Sequence, residues 1–226
     1  MKREIITTED GSKTLFISDL NENYHSTHGA LQEAQHVFIE NGLNLLNHCE
    51  INILELGFGT GLNLLVTINE LMKNALHRKI HYYTIEKYPV LDEEIKFLNY
   101  SSLFESPELT DIYHKAHASN WNETVELMPN FLFTKYKKDF HDIVDLDLKP
   151  INLVYYDCFG AKVQPDLWEF PLFEMVTQKM SETSLLTTYS SKGSVRRILK
   201  ELGLEVEKVP GPPGKREMIN AWKRNL

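Results

Sequence analysis

Ile53-Leu54-Glu55-Leu56-Gly57-Phe58-Gly59-Thr60-Gly61 separates two different hydrophobic patterns. The apolar run before it, Ile51 to Leu54, has the length and branching of a buried strand. The stretch after it, Leu62 to Leu76, has the spacing of an amphipathic helix. Strand, glycine turn and helix make the first unit of a Rossmann-like α/β domain. Glycine suits such a turn because it accepts unusual backbone angles and lets a ligand approach the chain without a Cβ in the way.

Spacing narrows the ligand. Nicotinamide and flavin sites read G-x-G-x-x-G, and a P-loop ends in Gly-Lys-Ser/Thr. Here the pattern is E-x-G-x-G-x-G, running on through Leu62-Asn63. It resembles motif I of the class I S-adenosylmethionine methyltransferases, whose ligand carries a sulfonium and has no pyrophosphate. A carboxylate at Glu55 suits such a cation, and Gly57, Gly59 and Gly61 suit its close approach.

Working outward, strands and helices alternate, as a parallel sheet requires. Further strands are expected at Ile80–Ile85, Leu132–Lys137, Ile151–Tyr156, Ser184–Tyr189, Leu204–Val209 and Glu217–Trp222. Helices are expected at Asp92–Tyr100, Leu172–Met180 and Ser194–Leu202, and residues 101–130 show no clear pattern. Only a Pro/Gly loop separates the last two strands, so they should be antiparallel neighbours. The expected fold is thus a Rossmann-like, mostly parallel seven-stranded sheet with an antiparallel last strand. Ahead of it come a hairpin within residues 3–18, a loop from Tyr24 to Gly29 and a helix from Ala30 to Asn41 stopped by Gly42. Residues 1–48 read as a cap over the cofactor cleft and 49–226 as the main domain, one compact unit overall.

Composition bounds the alternatives. No apolar run approaches the roughly 20 residues that span a membrane, and Met1-Lys2-Arg3-Glu4-Ile5 lacks a signal-peptide core. Two cysteines, Cys49 and Cys158, point to a reducing compartment, so the expected location is the cytoplasm. Nine histidines come without a Cys-x-x-Cys, so no metal site is expected. The net charge of −8 is uneven. From Thr188 onward there are nine Lys/Arg and four Asp/Glu; the rest carries 15 basic and 28 acidic residues, a net of −13. An acidic body with a basic end allows a local RNA-binding patch or a solvated helix face.

Ligands of open α/β sheets lie beyond the carboxyl ends of the strands. Four expected strands end in an acid: Glu55, Glu86, Asp139 and Asp157. Glu86, about 30 residues after the glycine turn, can accept both ribose hydroxyls, as the corresponding acid does in dinucleotide sites. Asp139 can accept from an adenine amino group, although Lys137 and Lys138 beside it also suit a solvated turn. Asp157 follows the most apolar strand and is the catalytic candidate.

The segments Tyr24-His25-Ser26, Gly29-Ala30-Leu31-Gln32-Glu33, His36-Val37-Phe38, the glycine turn with Leu62-Asn63, Glu86-Lys87-Tyr88-Pro89, Asp157-Cys158-Phe159, Pro165-Asp166-Leu167-Trp168, Ser194-Val195-Arg196-Arg197 and Gly214-Lys215-Arg216-Glu217-Met218 occur in the order of one family. They resemble the tRNA 5-methylaminomethyl-2-thiouridine methyltransferases, the methyltransferase half of MnmC or the stand-alone MnmD, over nearly the whole chain. The resemblance implies S-adenosylmethionine as donor and, as acceptor, the aminomethyl group of a modified wobble uridine in tRNA. It places Asp157 at the reacting amine. Phe58, Asn63, Lys87, Tyr24 and Glu33, which lie in the matching segments, are expected to complete the cofactor site. Phe159 and Lys162 are expected to meet the substrate, and Lys192, Arg196, Arg197, Lys215 and Arg216 the tRNA phosphates; Tyr24 or Phe159 suits stacking on an extruded base.

The chain departs from the family text at Cys158 and in lacking a proline before Lys162. It has no second glycine fingerprint, so no flavin oxidase domain is expected within it. Three other readings stay open at this level: aminopropyl transfer as in spermidine synthases, carbon methylation with Cys158 as nucleophile, and a tRNA-binding module without catalysis.

Overall fold

The computed structural model describes residues 2–74, 78–104 and 106–224. An eight-stranded sheet forms the centre. Its strands are β4 (Glu50–Leu56), β5 (Lys79–Ile85), β6 (Thr124–Met128), β7 (Phe131–Tyr136), β8 (Ile151–Tyr156), β9 (Met180–Thr188), β10 (Glu205–Pro210) and β11 (Glu217–Lys223). The order across the sheet is β10-β11-β9-β8-β4-β5-β7-β6. β4 pairs in parallel with β5 on one side and β8 on the other, so the chain reverses its direction of travel across the sheet at β4. That crevice, at the carboxyl ends of β4, β5 and β8, is where such sheets bind ligands.

A separate antiparallel sheet is formed by β1 (Arg3–Thr7), β2 (Lys13–Ile17) and β3 (Glu22–Asn23). Its first two strands are the hairpin expected from Asp10-Gly11. β10 and β11 are antiparallel neighbours, as the Pro/Gly loop between them requires.

The helices are α1 (Ala30–Ala34), continued by a π-turn over Gln35–Glu40, then α2 (Leu62–Lys73), α3 (Asp92–Leu98), α4 (Pro107–Ala118), α5 (Phe170–Lys179) and α6 (Gly193–Glu201). The expected end of the second helix at Leu76 lies outside the described residues. Strand alternation divides the core into two layers. Ile53, Tyr82, Phe133 and Tyr155 face α2, α4 and the helical segment 30–40. Leu54, Tyr83, Val154 and Tyr156 face α5 and α6. Helical segment 30–40 therefore packs on the sheet: Phe38 meets Tyr155 at 4.8 Å between ring centroids, and Thr187 Oγ1 donates to the Val37 carbonyl. The loop before it, residues 22–27, is what lies across the cleft.

The expectation of seven strands falls one short. β6 pairs antiparallel with β7 at the sheet edge, with a bulge between Glu126 and Met128. Only Leu127 of its five residues is buried, so its pattern is masked by edge solvation. α4 fills the rest of the unread stretch. It is capped by Ser106, whose side chain accepts from Leu109 N, and has Pro107 in its first turn. At the other end Lys135 of β7 donates to the Ala116 and His117 carbonyls, a cation placed at the negative end of the helix dipole.

Candidate active site

All three glycines of the turn after β4 have positive φ: 101° at Gly57, 50° at Gly59 and 77° at Gly61. Space is short there as well. A Cβ on Gly57 would lie 2.8 Å from the Asp157 carbonyl, on Gly59 3.1 Å from the Tyr24 ring, and on Gly61 2.8 Å from His117 Nε2. The turn thus packs between the end of β8, the loop over the cleft and α4, and α2 begins immediately behind it. Gly59 N donates to Glu86 Oε2 at 3.0 Å, and Tyr88 N donates to Oε1 at 2.7 Å. Glu86 is held with its carboxylate at the mouth of β5, only 9% exposed, and burial raises its pKa.

The crevice encloses about 350 Å³. Tyr24, Glu33, Gly57, Phe58, Gly59 and Asn63 line it, as do Glu86, Lys87, Asp139, Asp157, Phe159 and Lys215. Sequence reasoning had singled out all of these. It missed Phe140, Gln164 and Tyr189, which also line it. Tyr189 follows the carboxyl end of β9, a position that strand-end reasoning could have found; Gln164 had no comparable signal.

Asp157 leaves the end of β8 into the crevice floor and accepts from Asn63 Nδ2 at 2.7 Å. Burial pushes its carboxyl up to about 7, against the pull of the Asn63 hydrogen bond and of Lys215. A carboxyl poised near neutrality can change its proton during a reaction. The loop that follows is fixed by its backbone. Tyr189 OH donates to the Cys158 carbonyl, Trp168 Nε1 to the Phe159 carbonyl, and Val163 N to the Gly160 carbonyl. These bonds shape the loop without the family's proline. The Cys158 side chain is buried, and burial pushes its thiol well above the ordinary value, which disfavours a thiolate nucleophile.

Several expected residues stand elsewhere. Glu55 does not line the crevice: it is 0% exposed, beneath α2 on the inner face of β4. The even spacing that makes β4 apolar on both faces turns its side chain inward. Gly61 shapes the turn from behind. Lys215 is no free phosphate contact. Its Nζ pairs with Glu33 Oε1 at 2.8 Å and sits 3.9 Å from the Tyr189 ring centroid, inside the crevice. Glu33, which also accepts from Ser26 N, is thereby tied to the C-terminal loop. Asp139 has both oxygens engaged, Oδ2 by Lys87 Nζ at 2.7 Å and Oδ1 by His141. Burial pushes its carboxyl up, but these partners outweigh it and hold it well below the ordinary range. Lys162, Lys192, Arg197 and Arg216 are exposed outside the crevice, and Arg196, also outside it, is partly buried.

The residues fit a nucleoside carrying a cationic amino-acid chain. A glycine turn without Cβ atoms leaves room over its backbone, and Glu86 keeps acceptor capacity for hydroxyls beyond its two backbone bonds. Among the described residues no group of three His, Cys, Asp or Glu is placed to hold a metal, and no helix is long and apolar enough to cross a membrane.

Comparison with known proteins agrees with this geometry. Residues 114–224 match a family described as S-adenosyl-L-methionine-dependent methyltransferase. The chain is similar to the tRNA 5-methylaminomethyl-2-thiouridine biosynthesis bifunctional protein MnmC of Hydrogenovibrio crunogenus, 28% identical over 230 residues, which are 96% of this chain and 33% of that protein. With the MnmC protein of Burkholderia mallei (strain SAVP1) it is 30% identical over 240 residues, 95% of this chain and 34% of that one. The chain thus spans about a third of the length of the curated relatives it matches. Among solved structures it is similar to MNMC2 from Aquifex aeolicus, with a TM-score of 0.76, 25% identity and coverage of 100% of this chain and 72% of that one. Spermidine synthase from Thermotoga maritima, at 8% identity and a TM-score of 0.51 over 98% of this chain and 68% of that one, shares the fold alone.

Proposed function

We propose that this chain is an S-adenosyl-L-methionine-dependent methyltransferase, a reading supported by the match of residues 114–224 to that family, and that it methylates the aminomethyl nitrogen of a 5-aminomethyl(-2-thio)uridine at the tRNA wobble position. The observation that carries this reading is Asp157: a carboxyl at the end of the central β8, poised near neutral pH in the same crevice as the glycine turn and Glu86. The names of the MnmC relatives supply the RNA and the modification.

Bound S-adenosylmethionine supplies an electrophilic methyl group and a neutral thioether leaving group. Glu86 would accept from the ribose hydroxyls, and the Gly57–Gly59 backbone would hold the amino-acid end. Asp139, already engaged by Lys87 and His141, would share Oδ2 with an adenine amino group. An acceptor amine is mostly protonated in water at neutral pH and has no lone pair to offer. Transfer needs the neutral amine, and Asp157, as the carboxylate, would accept a hydrogen bond from its N–H, orient its lone pair and face the positive charge that develops on nitrogen. Tyr24 and Phe159, in edge contact at 5.0 Å between centroids, form an aromatic wall at the opening for the splayed base. Residues 1–48, through the loop over the cleft, act as the cap that keeps water from the amine.

Arg196 and Arg197 lie in the N-terminal half of α6, whose Val195 and Leu199 are buried, so the helix offers a basic face outward. Alanine at both positions is expected to raise the KM for tRNA and to lower the slope of log affinity against log salt by about 1–2, since each lost phosphate contact removes about 0.7–0.9. A salt slope equal to wild type would assign the two arginines a structural role instead.

The function is tested by incubating the protein with methyl-labelled S-adenosylmethionine and bulk tRNA lacking the final methyl group, then digesting to nucleosides. Label in 5-methylaminomethyl-uridine derivatives is expected. Label in another nucleoside, or in none, would overturn the assignment.

A further inference from the structure

Glu55 is the acid of the glycine motif, yet it has no contact with the crevice. In the sheet register it stands between Thr84 of β5 and Tyr155 of β8, with α2 packed above. Both carboxyl oxygens are buried and lack a partner of ordinary hydrogen-bond geometry, as are Tyr82 OH, Thr84 Oγ1 and Asn63 Oδ1 around it. It takes part in no ion pair among the described residues, and the charged group that faces it is Asp157, of like sign. An ionised carboxylate in that position would be a buried charge with no cation beside it, favoured only by the neutral donors of Thr84, Asn63 and Tyr82.

Asn63, 3% exposed, stands between the two acids. Its Nδ2 donates to Asp157 Oδ2 at 2.7 Å, and its Oδ1 faces the interior without a donor. An amide can present either end to each neighbour. If Glu55 were ionised, it would draw the NH₂ group to itself and turn the amide oxygen against Asp157. If Glu55 keeps its proton, it supplies the donor that Asn63 Oδ1 lacks.

We propose that Glu55 is a positioning residue that works as a neutral acid, its O–H donating to Asn63 Oδ1 so that Asn63 Nδ2 stays turned toward Asp157. The motif acid then serves the reacting carboxylate from behind and does not serve as a counter-ion for the cofactor. Its importance for turnover rests on the role given to Asp157 above; its effect on Asp157 does not. Burial first, and the facing Asp157, raise the Glu55 pKa well above the ordinary carboxyl range against the opposing pull of Thr84, Asn63 and Tyr82, consistent with a retained proton.

The test compares Glu55→Gln, which keeps a donor for Asn63, with Glu55→Leu, which has none. The readout is the titration of the Asp157 carboxyl, followed by NMR in protein carrying carbon-13 aspartate, its resonance identified by loss in Asp157→Asn. Wild type and Glu55→Gln should titrate alike, and Glu55→Leu should titrate roughly one unit higher. Where methyl transfer is measurable, Glu55→Gln should retain kcat and Glu55→Leu lose at least about tenfold. Equal shifts in the two variants, or none in either, would overturn the proposal whether or not tRNA is the substrate. Should Glu55→Leu fail to fold, infrared spectroscopy decides. A protonated-carboxyl band must persist above the titration of Asp157 and vanish in Glu55→Gln; its absence from the wild type would refute the neutral acid.

Discussion

Asp157→Asn is expected to lower kcat by about 10²–10⁴-fold, the range for loss of a positioned acid–base group, while S-adenosylmethionine affinity changes by no more than about threefold. The side chain keeps its size, and the Asn63 contact survives if one amide flips. What disappears is the carboxylate proposed to hold the amine N–H and to meet charge on nitrogen. The substitution also has a pH signature with a defined sign. Burial holds the proton on Asp157 up to about 7 in the folded chain, against an ordinary 3.8. Between those values the folded state binds more protons than the unfolded state, so this group makes the fold less stable as pH rises through the interval. Asp157→Asn should flatten that fall in chemical denaturation at a series of pH values. Turnover should move the opposite way, rising with pH as Asp157 ionises, with a midpoint at or below about 7 because a bound sulfonium favours the anion. Near-normal kcat in Asp157→Asn would remove the residue from the mechanism.

Gly59→Val should abolish detectable cofactor binding, weakening it by at least about 100-fold. At φ 50° a β-branched residue is strained by roughly 1–2 kcal/mol. Its Cβ would also begin 3.1 Å from the Tyr24 ring, with methyl groups entering the space over the turn. Either relief, moving Tyr24 or shifting the turn, disturbs the bond from Gly59 N to Glu86 and so the proposed ribose acceptor. Gly160→Ala is the matched control, because its Cβ would meet nothing nearer than Tyr189 OH at 3.9 Å. Calorimetric titration of both variants, with circular dichroism to confirm folding, checks the pair. Unchanged binding by Gly59→Val would refute the turn as the cofactor seat.

Where a feature follows from local pattern, it was legible. The β4 run and its three glycines fixed the first unit, and the acids at the ends of β5 and β8 followed from strand endings. The Pro/Gly loop dictated the β10–β11 pairing. What depended on long-range packing was not legible. The direction of Glu55 is set by strand parity and by α2 lying over one face, and a counter-ion role read from charge alone ignored both. Lys215 belongs to a run that reads as phosphate-binding, yet Glu33, 182 residues earlier, draws it into the crevice beside Tyr189. The edge strand β6 has too little burial to show a period. The resemblance located the crevice residues; the contacts say which of them are free to meet a ligand and which are already bound to one another.

The central claim is that a single crevice aligns the cofactor's methyl group with a nitrogen held by Asp157. A crystal structure with S-adenosylmethionine tests it most directly. The account predicts the ribose on Glu86, the amino-acid chain along Gly57–Gly59 and the methyl carbon directed at the space in front of the Asp157 carboxyl. A bound cofactor with its sulfonium facing away from Asp157, or that side chain turned to solvent, would contradict it.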